Sequence, residues 1–68
     1  MRGHVVEFDQ NRGEGVIEDQ RGARFNFSLK HCTDAGAMRL DVPVNFKPKG
    51  SKSGPFAAQV IPLEKAVS

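Results

Sequence analysis

The chain has 68 residues, a net charge of +2, a pI near 9.0, one cysteine, and neither tryptophan nor tyrosine. That length allows one small domain, near the limit at which apolar packing holds without metal or disulfide staples. A single Cys32 excludes an intramolecular disulfide, and His4, His31 and Cys32 are too few and too badly spaced for structural zinc. With no membrane-length apolar run and no charged-then-apolar leader, the expectation is a soluble cytoplasmic protein.

Apolar runs are short and broken by Gly and polar clusters, and none forms a helical stripe. GHVVEF (3–8) reads as a first strand, and DQNRG (9–13) as a turn rich in Asp, Asn and Gly. EGVIED (14–19) is a second strand, followed by the turn QRG (20–22). ARFNFSL (23–29) alternates, with Phe25, Phe27 and Leu29 on one face and Arg24, Asn26 and Ser28 on the other, as a half-buried strand does. KHCTDAGAMRL (30–40) is the least patterned stretch; it has room for one short helical turn, and Gly36 opposes anything longer. VPVNFKP (42–48) alternates again with Val42, Val44 and Phe46 inward, and Pro43, which lacks a donor, suits a strand start or an edge. KGSKSG (49–54) is a flexible basic loop, PFAAQVIPL (55–63) a last strand, and EKAVS (64–68) a tail expected to fray.

Five short strands with an irregular third-to-fourth link predict an all-β fold, a small five-stranded antiparallel barrel over residues 1–63. Closure removes the sheet edges that so short a chain cannot cover. An open meander and an SH3-like barrel fit the same pattern. The expected core is Val5, Phe8, Ile17, Phe25, Phe27, Val44, Phe46, Ala58 and Val60; Val5 and Phe8 share a face only across a bulge. Charge is unevenly placed: residues 1–34 carry five basic and six acidic side chains, residues 35–68 five and two. Attraction for phosphates is therefore expected around Lys47, Lys49 and Lys52, although a basic loop also serves plain solubility.

The order of these pieces resembles the cold-shock domain family, whose members are OB-type barrels, and the likeness runs almost the whole chain. GHVVEF with Asp9 is similar to the family's G-x-V-x-W-F-N opening. RGEGVI is similar to its first RNP motif, K-G-F-G-F-I, and FNFS falls without a gap on the second, V-F-V-H. VPVNF, the basic loop and GPFAAQV resemble its V-x-F strand and its G-P-Q-A-x-x-V closing strand; only the third-to-fourth link is a little short. Gly13 and Gly15 flank a strand entry where the backbone turns and approaches closely.

The resemblance implies binding of single-stranded nucleic acid, DNA or RNA, on outward aromatics of the first three strands, at about 1–3 kcal/mol per stacked base. Carried over residue by residue, every such ring is gone. The family's strand-one Trp is Glu7, the two Phe of the first motif are Glu14 and Val16, and the Phe and His of the second are Asn26 and Ser28. Glu7 and Glu14 also set negative charge against an approaching phosphate. Four of the five Phe are expected inside, with Phe56 outside, beside the basic loop. The remaining candidate contacts are basic and polar: Arg12, in place of the first motif's Lys, with Val16, Asn26, Ser28, Lys30, Lys47, Lys49, Lys52 and Phe56. Arg12 reads equally as a solvated turn cation, and Asn26 as an ordinary residue on a wet strand face.

A slip of three residues would lay LKHCT on the family's F-V-H-F-S and make Leu29 and His31 ligand-facing. It points Lys30 inward and takes Phe25 and Phe27 off the core parity, so it is rejected. Two functions stay open. The first is weak binding of single-stranded nucleic acid; the second is a protein-interaction or regulatory module whose partner meets the altered face (Glu7, Glu14, Val16, Asn26 and Ser28) or an exposed edge strand. No enzyme, metal, cofactor or small-molecule substrate is expected. His31-Cys32-Thr33-Asp34 sets a thiol beside an imidazole, but neighbouring side chains diverge and no third group orients them.

Overall fold

Turn chemistry decides where the strands begin and end. The computed structural model describes residues 1–50, 52 and 54–63, so the 64–68 tail and two serines of the basic loop lie outside the described residues. The strands are β1 (Arg2–Asp9), β2 (Glu14–Asp19), β3 (Arg24–Ser28), β4 (Pro43–Lys49) and β5 (Phe56–Pro62), with single 3-10 turns at Leu29–His31 and Ala35–Ala37. After β1, the Asp9 carboxylate accepts from the backbone N–H groups of Asn11 (3.0 Å) and Arg12 (3.3 Å), and Gly13 turns the chain at φ 67°. After β2, the carboxylate of Asp19 accepts from the N–H groups of Arg21 and Ala23, each at 2.9 Å. Asp19 is the one buried charged residue among those described, and these two donors satisfy it locally.

The strands close into a barrel in the order β1-β2-β3-β5-β4, with β4 returning to β1. Every pairing is antiparallel except β3 with β5, which is parallel and meets at Asn26 and Phe56. That is a refinement of the antiparallel expectation, and it follows from β5 entering the barrel beside β3 after an excursion through β4. No described helix is long and apolar enough to cross a membrane. The expected bulge is present: Val5 pairs with Ile17 and Glu7 with Val16, leaving Val6 as the extra residue. It brings Val5 and Phe8 to the same side of β1.

The core holds Val5, Ile17, Phe27, Met38, Val42, Val44, Phe46, Ala57 and Val60, and Ala58 is buried beside it. Two expected members, Phe8 and Phe25, are instead half-buried and pack against this cluster from its margin. Phe8 lies parallel to Phe27 with ring centroids 6.2 Å apart, and one side of it opens onto a surface cleft. Phe25 leans on Phe46 at 5.1 Å and leaves its other side to solvent. Their places inside go to Met38, Val42 and Ala57. The link carrying Met38 and Val42 is laced to β1, where Val5 N–H donates to the Val42 carbonyl (3.1 Å) and Asp41 N–H to the Val5 carbonyl (2.8 Å).

Gly15 lies between the Phe8 and Phe27 rings in the sheet, paired with both residues. A Cβ there would meet the Glu7 carbonyl oxygen and come within 2.6 Å of the Phe27 ring. Gly15→Ala is therefore expected to cost about 1–3 kcal/mol through overpacking. Asp19→Ala strands two turn amides and should cost about 1–3 kcal/mol, whereas Asp19→Asn keeps an acceptor oxygen and costs less. Urea unfolding midpoints check both, and an Asp19→Asn protein as unstable as Asp19→Ala would contradict the turn assignment.

Candidate nucleic-acid interface

Strand register builds the outward face from the candidate residues. Glu7 pairs with Val16, Val16 with Asn26, Asn26 with Phe56, and Phe56 with Lys49, so one row of side chains runs around the barrel through all five strands. A second row, Asp9, Glu14 and Ser28, lies beside it. The pairing of Glu14 with Ser28 fixes the register without the three-residue slip. A cleft of about 600 Å³ opens along these rows, lined by Glu7, Arg12, Glu14 and Val16 from the first two strands and their turn. Asn26, Ser28 and Phe56 line its other side. Lys30 and Lys49 border an adjoining cleft instead, while exposed Lys47 and Lys52 line neither.

One acid on this face, Glu7, has an ion-pair partner. Glu7 meets Arg24 at 3.7 Å, and Arg24 also reaches Glu18 at 3.4 Å, an ion-paired row across β1, β2 and β3. Each of these pairs is exposed and contributes little to stability on its own. They do keep Arg24 occupied. Among the described residues Lys30, Lys47, Lys49 and Lys52 have no ion-pair partner, which leaves their charge open to an external anion.

Ser28 caps the turn at the end of β3. Its backbone is extended (φ −128°, ψ 150°) and its hydroxyl accepts from Lys30 N–H at 3.3 Å, the capping arrangement that starts the 3-10 turn. The turn swings the chain from β3 toward β5, where Thr33 N–H donates to the Val60 carbonyl at 3.0 Å and Cys32 bridges Val60. Between these anchors His31 comes edge-on to Phe56, with ring centroids 5.9 Å apart and planes at 62°. His31 thus reaches the cleft from outside the strand, although it is not a face residue of β3. Only the slipped register makes His31 ligand-facing on the strand, and β3 ends at Ser28, before it. The only local signal for its position is Ser28, which marks the strand's end ahead of Leu-Lys-His. Phe8 and Phe27 also border the cleft, and no periodicity argument separates a core ring from one at the core's margin.

Cys32 and His31 have different neighbours: the thiol donates to the Ser28 carbonyl at 3.5 Å, while the imidazole faces Phe56. No three His, Cys, Asp or Glu side chains converge as a metal site among the described residues.

No family model matches the sequence, and no curated protein does. Thirty-one chains of solved structures match it in fold. One of them, drosophila Unr CSD456, a run of cold-shock domains, is similar with a TM-score of 0.73 at 20% identity, over 98% of this chain and 28% of its own length. The fold is that of a cold-shock-like domain, an OB-type five-stranded barrel.

Burial pushes the Cys32 thiol above its ordinary value. Because the thiolate is the reacting species, iodoacetamide should alkylate Cys32 more slowly at neutral pH than an unstructured cysteine, with the rate still climbing at a pH where the free thiol has levelled off. Urea should restore the ordinary rate; an equally fast native reaction would contradict the burial.

Proposed function

We propose that this chain binds single-stranded nucleic acid weakly, through basic and polar contacts rather than a ladder of stacked rings. The supporting observation is the outward row that joins Asn26 to Phe56 and Phe56 to Lys49, with Arg12 lining the cleft that Asn26 and Phe56 border. Polar groups able to meet a base edge, the half-buried Phe56 ring and the unpaired Lys49 then occur on one row. Lys30, Lys47, Lys49 and Lys52 attract the backbone, and Asn26 and Ser28 contribute neutral contacts. In this reading the protein works in the cytoplasm, on DNA or RNA. The fold adds an analogy, since OB-type barrels commonly carry this activity.

A second reading is favoured by a different observation. Glu7, Asp9 and Glu14 line one cleft against a single Arg12, so part of the β1–β2–β3 face is an acidic surface, suited to a protein partner with basic groups.

Affinity for a mixed single-stranded oligonucleotide, followed by fluorescence anisotropy of a label on the oligonucleotide, should fall with salt by a log–log slope of about −0.7 per phosphate contact. Salt-insensitive affinity would sink the lead reading. A Glu7→Trp, Glu14→Phe, Val16→Phe triple variant separates the two, gaining about 1–3 kcal/mol for each ring that stacks. If the native chain ignores oligonucleotides and the variant binds them, the acidic face serves a protein partner. If both bind alike, the β1–β2–β3 face is not where nucleic acid lies.

A further inference from the structure

Two adjoining clefts share His31 and Phe56 and differ in charge. The cleft over β1, β2 and β3 sets the carboxylates of Glu7, Asp9 and Glu14 against one guanidinium, Arg12. Its neighbour, of about 610 Å³, is bordered by Lys30 and Lys49 and, among the described residues, has no acidic side chain in its lining. A phosphate within a Debye length of roughly 8–10 Å is repelled by the first and attracted by the second.

The rings mark the boundary between them. Phe56 is half-buried and His31 exposed, so their edge-on pair leaves ring surface open to solvent. Imidazole and phenyl rings are both surfaces on which an unpaired base stacks. Further along the second cleft is Gln59. Its φ of 50° lies in the left-handed region that a residue with a side chain avoids. It is held there by a bulge in β5: Asn45 pairs with Ile61 and Lys47 with Ala58, so Phe46 faces two residues, Gln59 and Val60. An exposed amide, carrying donors and an acceptor, therefore stands in the same cleft as the ring pair.

The geometry points to the second cleft, between the 3-10 turn and the β4–β5 hairpin, as the seat of a single-stranded nucleic acid. One base stacks on the Phe56–His31 pair, the Gln59 amide meets a base edge, and Lys30 and Lys49 hold the flanking phosphates. The strand's path is shifted around the barrel, away from the carboxylates of β1 and β2. This inference rests on the nucleic-acid reading above and says where the ligand lies.

The test is a titration of the whole chain with oligo(dT) and oligo(U) at low salt, following backbone amide shifts. Shifts are expected at residues 30–33, at Lys49 and along residues 56–61, with little change at Glu14 and Val16. Phe56→Ala and His31→Ala should each weaken binding about fivefold to a hundredfold. Lys49→Ala should reduce the salt slope by about 0.7. Gln59→Gly should fold at least as well as the native chain, because glycine accepts positive φ, and yet bind less tightly. Lys49→Ala and Gln59→Gly, both at exposed side chains, keep the test decisive should Phe56→Ala loosen the β3–β5 seam. Shifts centred on Val16 and Asn26, with Phe56→Ala and Lys49→Ala silent, would overturn this placement and leave the wider reading standing. No binding of either oligonucleotide by the native chain would overturn both and leave the surface to a protein partner.

Discussion

Barrel closure at the seam between β3 and β5 is the constraint on which the rest of this molecule depends. The two strands meet in parallel at Asn26 and Phe56, and Asn26 N–H donates to the Pro55 carbonyl at 3.3 Å. So short a contact could not hold two strands by itself. The 3-10 turn after β3 extends it, with Thr33 bonded to the Val60 carbonyl and Cys32 bridged to Val60. Five short strands in so few residues must satisfy their edge amides and carbonyls somewhere, and closure does that without a second layer. The same seam carries the surface chemistry. It brings Phe56 beside Asn26 and leaves His31 against Phe56.

A second constraint acts one strand away from that seam, in β2. Gly15 has no room for a side chain beneath the Glu7 carbonyl and the Phe27 ring, so β1 and β2 can approach as closely as they do. The glycine is a requirement of the barrel whatever ligand is bound. Its neighbours on the outward face, Glu14 and Val16, answer to no such demand and are where the resemblance to cold-shock domains breaks. Frame and face thus follow different rules within one short motif. The frame is kept by packing, whereas the face carries acids, ion pairs and small groups in place of rings.

Much of the architecture was legible because it rests on local chemistry. Asp9 with Gly13, and Asp19 with Gly22, announce turns; alternation in Arg24–Ser28 and around Val44–Phe46 announces half-buried strands; the bulge follows from needing Val5 and Phe8 on one side. Other features were not legible. Met38 sits in a link without periodicity, and its burial depends on Val42 and Asp41 lacing that link to β1. Phe8 and Phe25 have core parity but stand where the barrel stops covering them. Ala57 and Ala58 are both buried despite being consecutive: one faces inward, and the other borders the outer cleft beneath the 3-10 turn.

The sequence by itself determined the number and order of strands, the glycines that let them approach, and the absence of the stacking rings from the first three strands. These are properties of each strand and its own turns, and alternation and turn residues encode them directly. Only the tertiary structure decided which side chains from distant segments share a surface. His31 and Phe56 are separated by most of the second half of the chain, and nothing in either neighbourhood names the other. Their meeting is a consequence of closure, as is the separation of an acid-bearing cleft from one bordered by lysines. Closure is a non-local event, and its geometry is written in register and burial rather than in any motif.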